Sequence, residues 1–262
     1  MSLTLDNTLR QYDYWAILYR RTWKGSIVTS FLMPLLYLAA MGVGLGSFVD
    51  DSASSAQALG GVSYLQFLAP GLLAATAMQI GVFESTYPIM GGIKWQRIYF
   101  GMIATPLRPA DVMIGQLAFI AFRIATTCVV FIGVIAAFGG LASLLGVLAL
   151  PVAVLVGMAT AAPVAAISTR LNNDAGFALI FRFGVIPMFL FSGAFFPVSQ
   201  LPDAVEWIAY LSPLWHAVDL ARALSLGDVA ALPALGHLAY LALWLGLGTW
   251  AAIRGLNKRL VS

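Results

Sequence analysis

Three ionisable side chains, Glu84, Arg123 and Arg182, sit inside or at the edge of long apolar runs. A charge near the middle of a bilayer costs several kcal/mol unless it is paired or reaches the interface. Two arrangements meet that cost. Glu84 pairs with one arginine and leaves the other charge facing a substrate route or lipid headgroups, or both arginines snorkel to the interface. The two histidines, His216 and His237, are too isolated in sequence to suggest a metal site, and His216 near Asp219 suits an interfacial hydrogen bond. Cys128, the single cysteine, lies in an apolar run and can form neither an internal disulfide nor a cysteine-rich metal site. No G-x-S-x-G element is present, and the apolar runs lack the dense polar set a lipid transferase needs. None of the three lysines stands in a G-x-x-x-x-G-K-[ST] loop, so this chain is expected to bind neither ATP nor a metal. No catalytic centre emerges, and the chain is expected not to be an enzyme.

The elements that must position these residues follow from composition. Hydrophobic residues make up 61% of the 262 and charged residues only 10%, with a mean hydropathy of +0.90. That excludes a soluble domain and implies an all-α integral membrane protein. The length suits one bundle of about six crossings at roughly 20 apolar residues each, with no room for a separate soluble domain. The hydropathy pattern places the crossings at about 27–48, 64–88, 112–138, 141–168, 175–196 and 231–253, with Pro151 and Pro163 as bends in the fourth. Residues 1–25 precede them. There Leu5, Leu9, Tyr12, Ala16, Tyr19 and Trp23 recur at steps of three or four, with Arg10, Asp13, Arg20 and Lys24 between, as in an amphipathic helix lying in the membrane surface. The apolar region begins too late for a secretory signal. Residues 26–262 are then the transmembrane domain.

A pI of 9.1 and a net charge of +3 come from charges dispersed at span ends, not from a patch suited to nucleic acid. Eleven of the fourteen basic residues fall on one side: Arg10, Arg20, Arg21, Lys24, Lys94, Arg97, Arg108, Arg170, Arg254, Lys258 and Arg259. The positive-inside rule therefore expects both termini in the cytoplasm.

Between the second and third crossings the segment Lys94 to Gly115, KWQRIYFGMIATPLRPADVMIG, is charged and broken by proline. The stretch from Gly91 to Phe100 suits a short cytoplasmic helix with Trp95, Ile98, Tyr99 and Met102 on one face, ended by Pro106 and Pro109. From the residues alone it is either a lever on which a soluble motor acts or an ordinary basic loop. After the fifth crossing, Pro197 to Asp228 offers two short external helices, one opened at Pro202 and one at Ser212-Pro213. Trp207, Tyr210 and Trp215 there suit an interfacial aromatic belt.

The run IATPLRPADVMIGQL, from Ile103, resembles the cytoplasmic segment of the ABC-2 family of ABC exporter permeases, in which a short coupling helix precedes a similar turn. A second resemblance lies in FSGAFFPVSQLP, from Phe191, followed by YLSPLWHAVDLAR, from Tyr210, which are similar to the family's end of span five and its external helices. Together they cover essentially the whole chain and lie nearest the branch with nodulation-factor and drug-export permeases. The resemblance implies a six-helix ABC-2 (type V exporter) bundle in a bacterial inner membrane, with ATP and Mg on a separate ABC ATPase present in two copies. It also implies a second permease chain, identical or paralogous. Lys94, Trp95, Gln96, Arg97 and Tyr99 would contact the motor. Many relatives carry an acidic residue near the position of Gly101, which this chain lacks. Phe189, Phe191, Phe195 and Phe196 would close the outer mouth, against the plainer reading of that region as a passive cap. The substrate would be an amphiphile such as a drug, lipid or glycolipid. The competing class is a membrane channel or intramembrane enzyme without a motor.

Overall fold

A computed structural model describes residues 5–27, 32–51, 59 and 61–261. It is all helical, with no strand among the described residues. The helices are α1 (Leu5–Ile27), α2 (the consecutive pieces Met33–Tyr37, Leu38–Leu45 and Gly46–Asp50), α3 (Tyr64–Ser85), and α4 (Tyr87–Met90, continued as a wider π turn over Gly91–Trp95). They continue as α5 (Ile98–Ile103), α6 (Pro109–Ala137), α7 (Ala149–Ser168, after a 3-10 turn at Leu144–Leu148) and α8 (Ala175–Phe191). The chain ends in α9 (Asp203–Tyr210), α10 (Pro213–Leu226) and α11 (Ala231–Val261).

Among the described residues, four runs are long and apolar enough to cross a membrane: Tyr64–Trp95, Pro109–Ala137, Leu144–Ser168 and Ala231–Val261. Two shorter apolar runs, Leu35–Asp50 and Ala175–Phe191, reach roughly 25 Å at 1.5 Å per residue, a little short of the hydrocarbon core.

α7 is the centre of the bundle, packed against α3, α6, α10 and α11. Its sequence explains why. Ala153, Gly157, Ala161, Ala162 and Ala165 leave little side chain between backbones, and they are buried. A Cβ on Gly81 of α3 would lie 2.2 Å from the Gly157 carbonyl oxygen, so the two helices touch backbone to backbone. In lipid, association rests on such close packing because the surroundings are as apolar as the core. The outward faces are apolar instead: Leu179, Phe183, Ile186 and Leu190 on α8, and Leu243, Leu247 and Trp250 on α11, are exposed.

Several expected boundaries shift. The expected crossing at 175–196 ends as a helix at Phe191, because Gly193 takes a left-handed φ of 78° and turns the chain. Phe195 and Phe196 thus sit on irregular backbone. The expected helix from Gly91 to Phe100 is two pieces, π to Trp95 and α from Ile98, separated by Arg97 at φ 54°. The helix that was to start near residue 112 starts at Pro109, whose fixed φ and missing N–H suit a first position. Asp111 then accepts the backbone N–H of Arg108 at 3.1 Å. α11 runs past 253 to Val261.

On α1 the buried side is centred on Gln11 and Trp15, with Tyr12, Ala16 and Tyr19 half-buried beside them, while Leu9 is exposed. The aromatic rings of α6 decide that rotation: Phe119 and Phe122 take Tyr12 and Tyr19 edge-on or tilted at 6.0–6.5 Å. The side chains of Leu5, Trp23 and Lys24, and the Ser- and Ala-rich residues 52–58, lie outside the described residues.

Candidate functional site

At one end of the bundle, Lys94, Trp95, Gln96 and Arg97 form an exposed turn. Arg97 is the one non-glycine residue at positive φ among the described residues. Such a conformation costs a non-glycine residue about 1 kcal/mol or more and persists only where the surroundings impose it. The anchors are visible on both sides. Trp95 stacks near Tyr87 (6.4 Å, 22°), and Lys94 Nζ donates to the Asn172 carbonyl in the α7–α8 connection. Arg97 lies over the Phe100 ring at 5.5 Å. Tyr99 differs from the other four: it is fully buried, its hydroxyl is 3.3 Å from Gln116 Oε1, and its ring fills the space a side chain on Gly92 would need. Burial raises its pKa well above the usual tyrosine value. The expectation that Tyr99 contacts a partner is therefore corrected, because the break at Arg97 re-aims α5 and turns this ring inward.

Beside this turn, Arg123 Nη2 lies 3.1 Å from Glu84 Oε1. The guanidinium also sits over the Tyr19 ring at 4.5 Å. The pair lines a cleft of about 210 Å³ between α1, α3 and α6, with Trp15, Tyr19, Gln116 and Phe119. Arg182 is elsewhere, exposed on α8, and takes no part in the pair.

The other end is built from α9, α10 and the irregular turn 192–197. The caps read from sequence are present: Ser212 Oγ accepts from the Leu214 N–H at 3.2 Å with Pro213 opening α10, and Pro202 precedes α9. Phe189 and Phe195 meet edge to face at 4.9 Å with Tyr37 6.3 Å from Phe195, whereas Phe191 and Phe196 are exposed. The four phenylalanines are thus not one cluster.

Sequence reasoning missed two features here. Arg222 donates from Nε to the Phe67 carbonyl (3.2 Å) and from Nη2 to the Gly193 carbonyl (2.7 Å), with its guanidinium 3.7 Å above the Phe67 ring. Desolvation lowers its pKa to about 10, so it stays charged at neutral pH. The histidines, expected to be isolated, meet: His216 Nδ1 and His237 Nδ1 are 2.8 Å apart. The residue that contacts Asp219 is His237, not His216, at 3.2 Å from Nε2. With both rings neutral, the bonds order the tautomers: His237 donates from Nε2 to the carboxylate, and His216 donates from Nδ1 to His237. That hydrogen bond holds Asp219 below the usual carboxylate range, and burial together with the neighbouring His237 lowers His216. The 21-residue separation hid the pair, and only the antiparallel return of α11 along α10 creates it.

Comparison with known proteins decides the family. The ABC-2 type transporter family matches residues 13–226. The chain is 34% identical over 256 residues to nodulation protein J of Rhizobium leguminosarum bv. viciae, covering 94% of this chain and 95% of that protein. It is 35% identical over 223 residues to nodulation protein J of Rhizobium meliloti (strain 1021), covering 82% of each. The chain belongs to the ABC-2 type transporter family. It is a membrane permease of that family and therefore a transport subunit. Both ends described above, the exposed turn at Arg97 and the Arg222 anchor, fall within the matched residues of this ABC-2 permease, while α11 with His237 follows them.

Proposed function

We propose that this permease is the transmembrane half of an ATP-driven exporter, assembled from two permease chains and two ABC ATPase subunits that supply ATP and Mg. The observation that carries it is the turn at Lys94–Arg97. It is exposed, held in a costly backbone conformation at Arg97, and tied through Lys94 to the next connection on the same end, at Asn172. A push on Trp95 or Arg97 reaches α4 and α5 directly, and reaches the α7–α8 connection through Asn172. Arg259 Nη1 donates to the Asn172 side chain at 2.9 Å, so the end of α11 joins the same group.

On this reading α2 and α8 are the first and fifth of six crossings, with local thinning or tilt covering their shortfall. Both termini face the cytoplasm of a bacterial inner membrane. Phe189, Phe195 and Tyr37 narrow the outer mouth, and the substrate is an amphiphile such as a drug, lipid or glycolipid. The name shared by the relatives makes a nodulation factor the first to assay. The cleft of Glu84 and Arg123, opening beside interfacial α1, suits a polar headgroup approaching from the inner leaflet.

Affinity purification of the tagged chain from its native membrane in mild detergent tests this. Recovery of an ATPase at about one per permease chain is expected, and a second permease sequence would mark a heterodimer. Recovery of the chain alone, with no ATP hydrolysis in several detergents, would replace the reading with a motor-free membrane protein.

A further inference from the structure

An open cavity of about 650 Å³ lies where the end of α7 meets the last turns of α11. Thr169, Arg170, Arg254, Gly255, Lys258 and Arg259 line it, three of them arginines. The approach of the two helices is tight, since a Cβ on Gly255 would lie 2.2 Å from Thr169 Oγ1. That contact brings Arg170 alongside the α11 cations. The guanidiniums of Arg170, Arg254 and Arg259 around one cavity repel one another, and an anion among them relieves that cost.

Helix dipoles do not account for the arrangement. Their pull on a cation fades within the last turn, and Arg254 stands about two turns before the end of α11 at Val261. Its guanidinium is instead fixed over the Trp250 ring at 4.1 Å. Trp250 belongs to an exposed apolar stripe. Leu243, Leu247, Trp250 and Arg254 follow at steps of four, three and four, on one face of α11. The stripe runs from hydrocarbon through an aromatic to the cations, the order met by a phospholipid from chain to phosphate.

We propose that this cavity binds the phosphodiester headgroup of an anionic phospholipid whose acyl chains lie along Leu243, Leu247 and Trp250. The site would fix the end of α11, and through Arg259 and Asn172 the connection that Lys94 also holds. It requires only that α11 crosses a membrane with this end at headgroup level, and it is independent of any ATPase.

The test uses the full-length chain, delipidated and transferred to nanodiscs of mixed phosphatidylglycerol and phosphatidylcholine, with retained lipids counted by native mass spectrometry. Phosphatidylglycerol should be retained in preference. The double variant Arg170→Gln/Arg254→Gln should weaken that preference by roughly tenfold or more. Arg182→Gln, an exposed cation outside the cavity, should leave it unchanged, and Arg254→Lys should keep most of it. If the double variant fails to fold, Arg254→Gln alone serves. The proposal is overturned by the absence of a headgroup preference, by an equal loss in Arg182→Gln, or by displacement of the lipid with excess inorganic phosphate, which would mark a free-anion site. It is also overturned if the double variant retains lipid normally but loses a co-purifying ATPase or second permease copy, which would make the face a protein contact.

Discussion

The two ends of this permease, called outer and inner after the proposed orientation, handle polar groups in opposite ways. At the outer end Arg222 takes up two carbonyls, Asp219, His237 and His216 form a chain, and Tyr240 donates its hydroxyl to the Leu211 carbonyl at 2.6 Å. At the inner end Trp95, Gln96 and Arg97 face outward, and the turn is held in a costly backbone state. A closed network resists relative motion because each displacement breaks bonds that nothing nearby replaces. An exposed, strained turn can exchange its contacts with a partner. The outer end is therefore built to hold its helices, and the inner end, on the proposed function, to be moved.

The comparison breaks most readily at Arg222. Arg222→Leu strands the carbonyl of Gly193 in a poorly hydrated turn and removes a second donor from that of Phe67 in α3, at a cost of about 3 kcal/mol, read as a lower thermal midpoint or loss of folded protein in detergent. An unchanged midpoint would show that the outer end is not held by this residue. A smaller effect, opposite in kind, is expected at the inner end. Arg97→Gly relieves the positive φ and should hold or raise stability by up to about 1 kcal/mol, while uncoupling ATP hydrolysis from export through loss of the side chain. Normal transport by that variant would reduce Arg97 to a backbone role, and loss of membrane insertion would make the turn purely structural. Trp95→Ala should uncouple without affecting the fold.

The ion pair sharpens the contrast further. Arg123→Leu leaves Glu84 without its partner and should lower both stability and export, whereas Arg182→Leu should lie within about 0.5 kcal/mol of the parent. If both variants fold and export normally, the cleft has no functional charge. The smallest effect concerns pH. His216 is held below its ordinary value of 6.5, so the folded state binds fewer protons than the unfolded one as pH falls through that value. Stability should therefore decline between pH 7 and 5. Asp219 adds a further loss only below its ordinary value of 3.8. The decline between pH 7 and 5 should vanish in His216→Gln, as measured by thermal melts at matched salt; its persistence would place the titrating group elsewhere.

Much of this architecture was legible in the residues, for reasons that differ from place to place. Ser212-Pro213 marked the start of α10 because a cap and a first-turn proline act within four residues. The apolar runs of α3, α6, α7 and α11 were equally local signals. The inner segment was found by its charge and prolines, yet Tyr99 was misread because helical periodicity continued through a turn it could not detect. The helix end at Phe191 was missed for a similar reason: apolar residues run on to Phe196, and only the conformation of Gly193 stops the helix.

The sequence by itself determined the membrane class, the long crossings, the caps and the family, since each rests on composition, on short-range backbone chemistry or on matched residues. Which residues meet across the bundle was decided only by the tertiary structure. Glu84 chose Arg123 over Arg182, His237 rather than His216 reached Asp219, and Arg222 found the carbonyls of Phe67 and Gly193. The physical reason is that desolvated charges and hydrogen-bonding groups must find partners wherever helix packing brings them, and that packing is set by small residues such as Gly81 and Gly157.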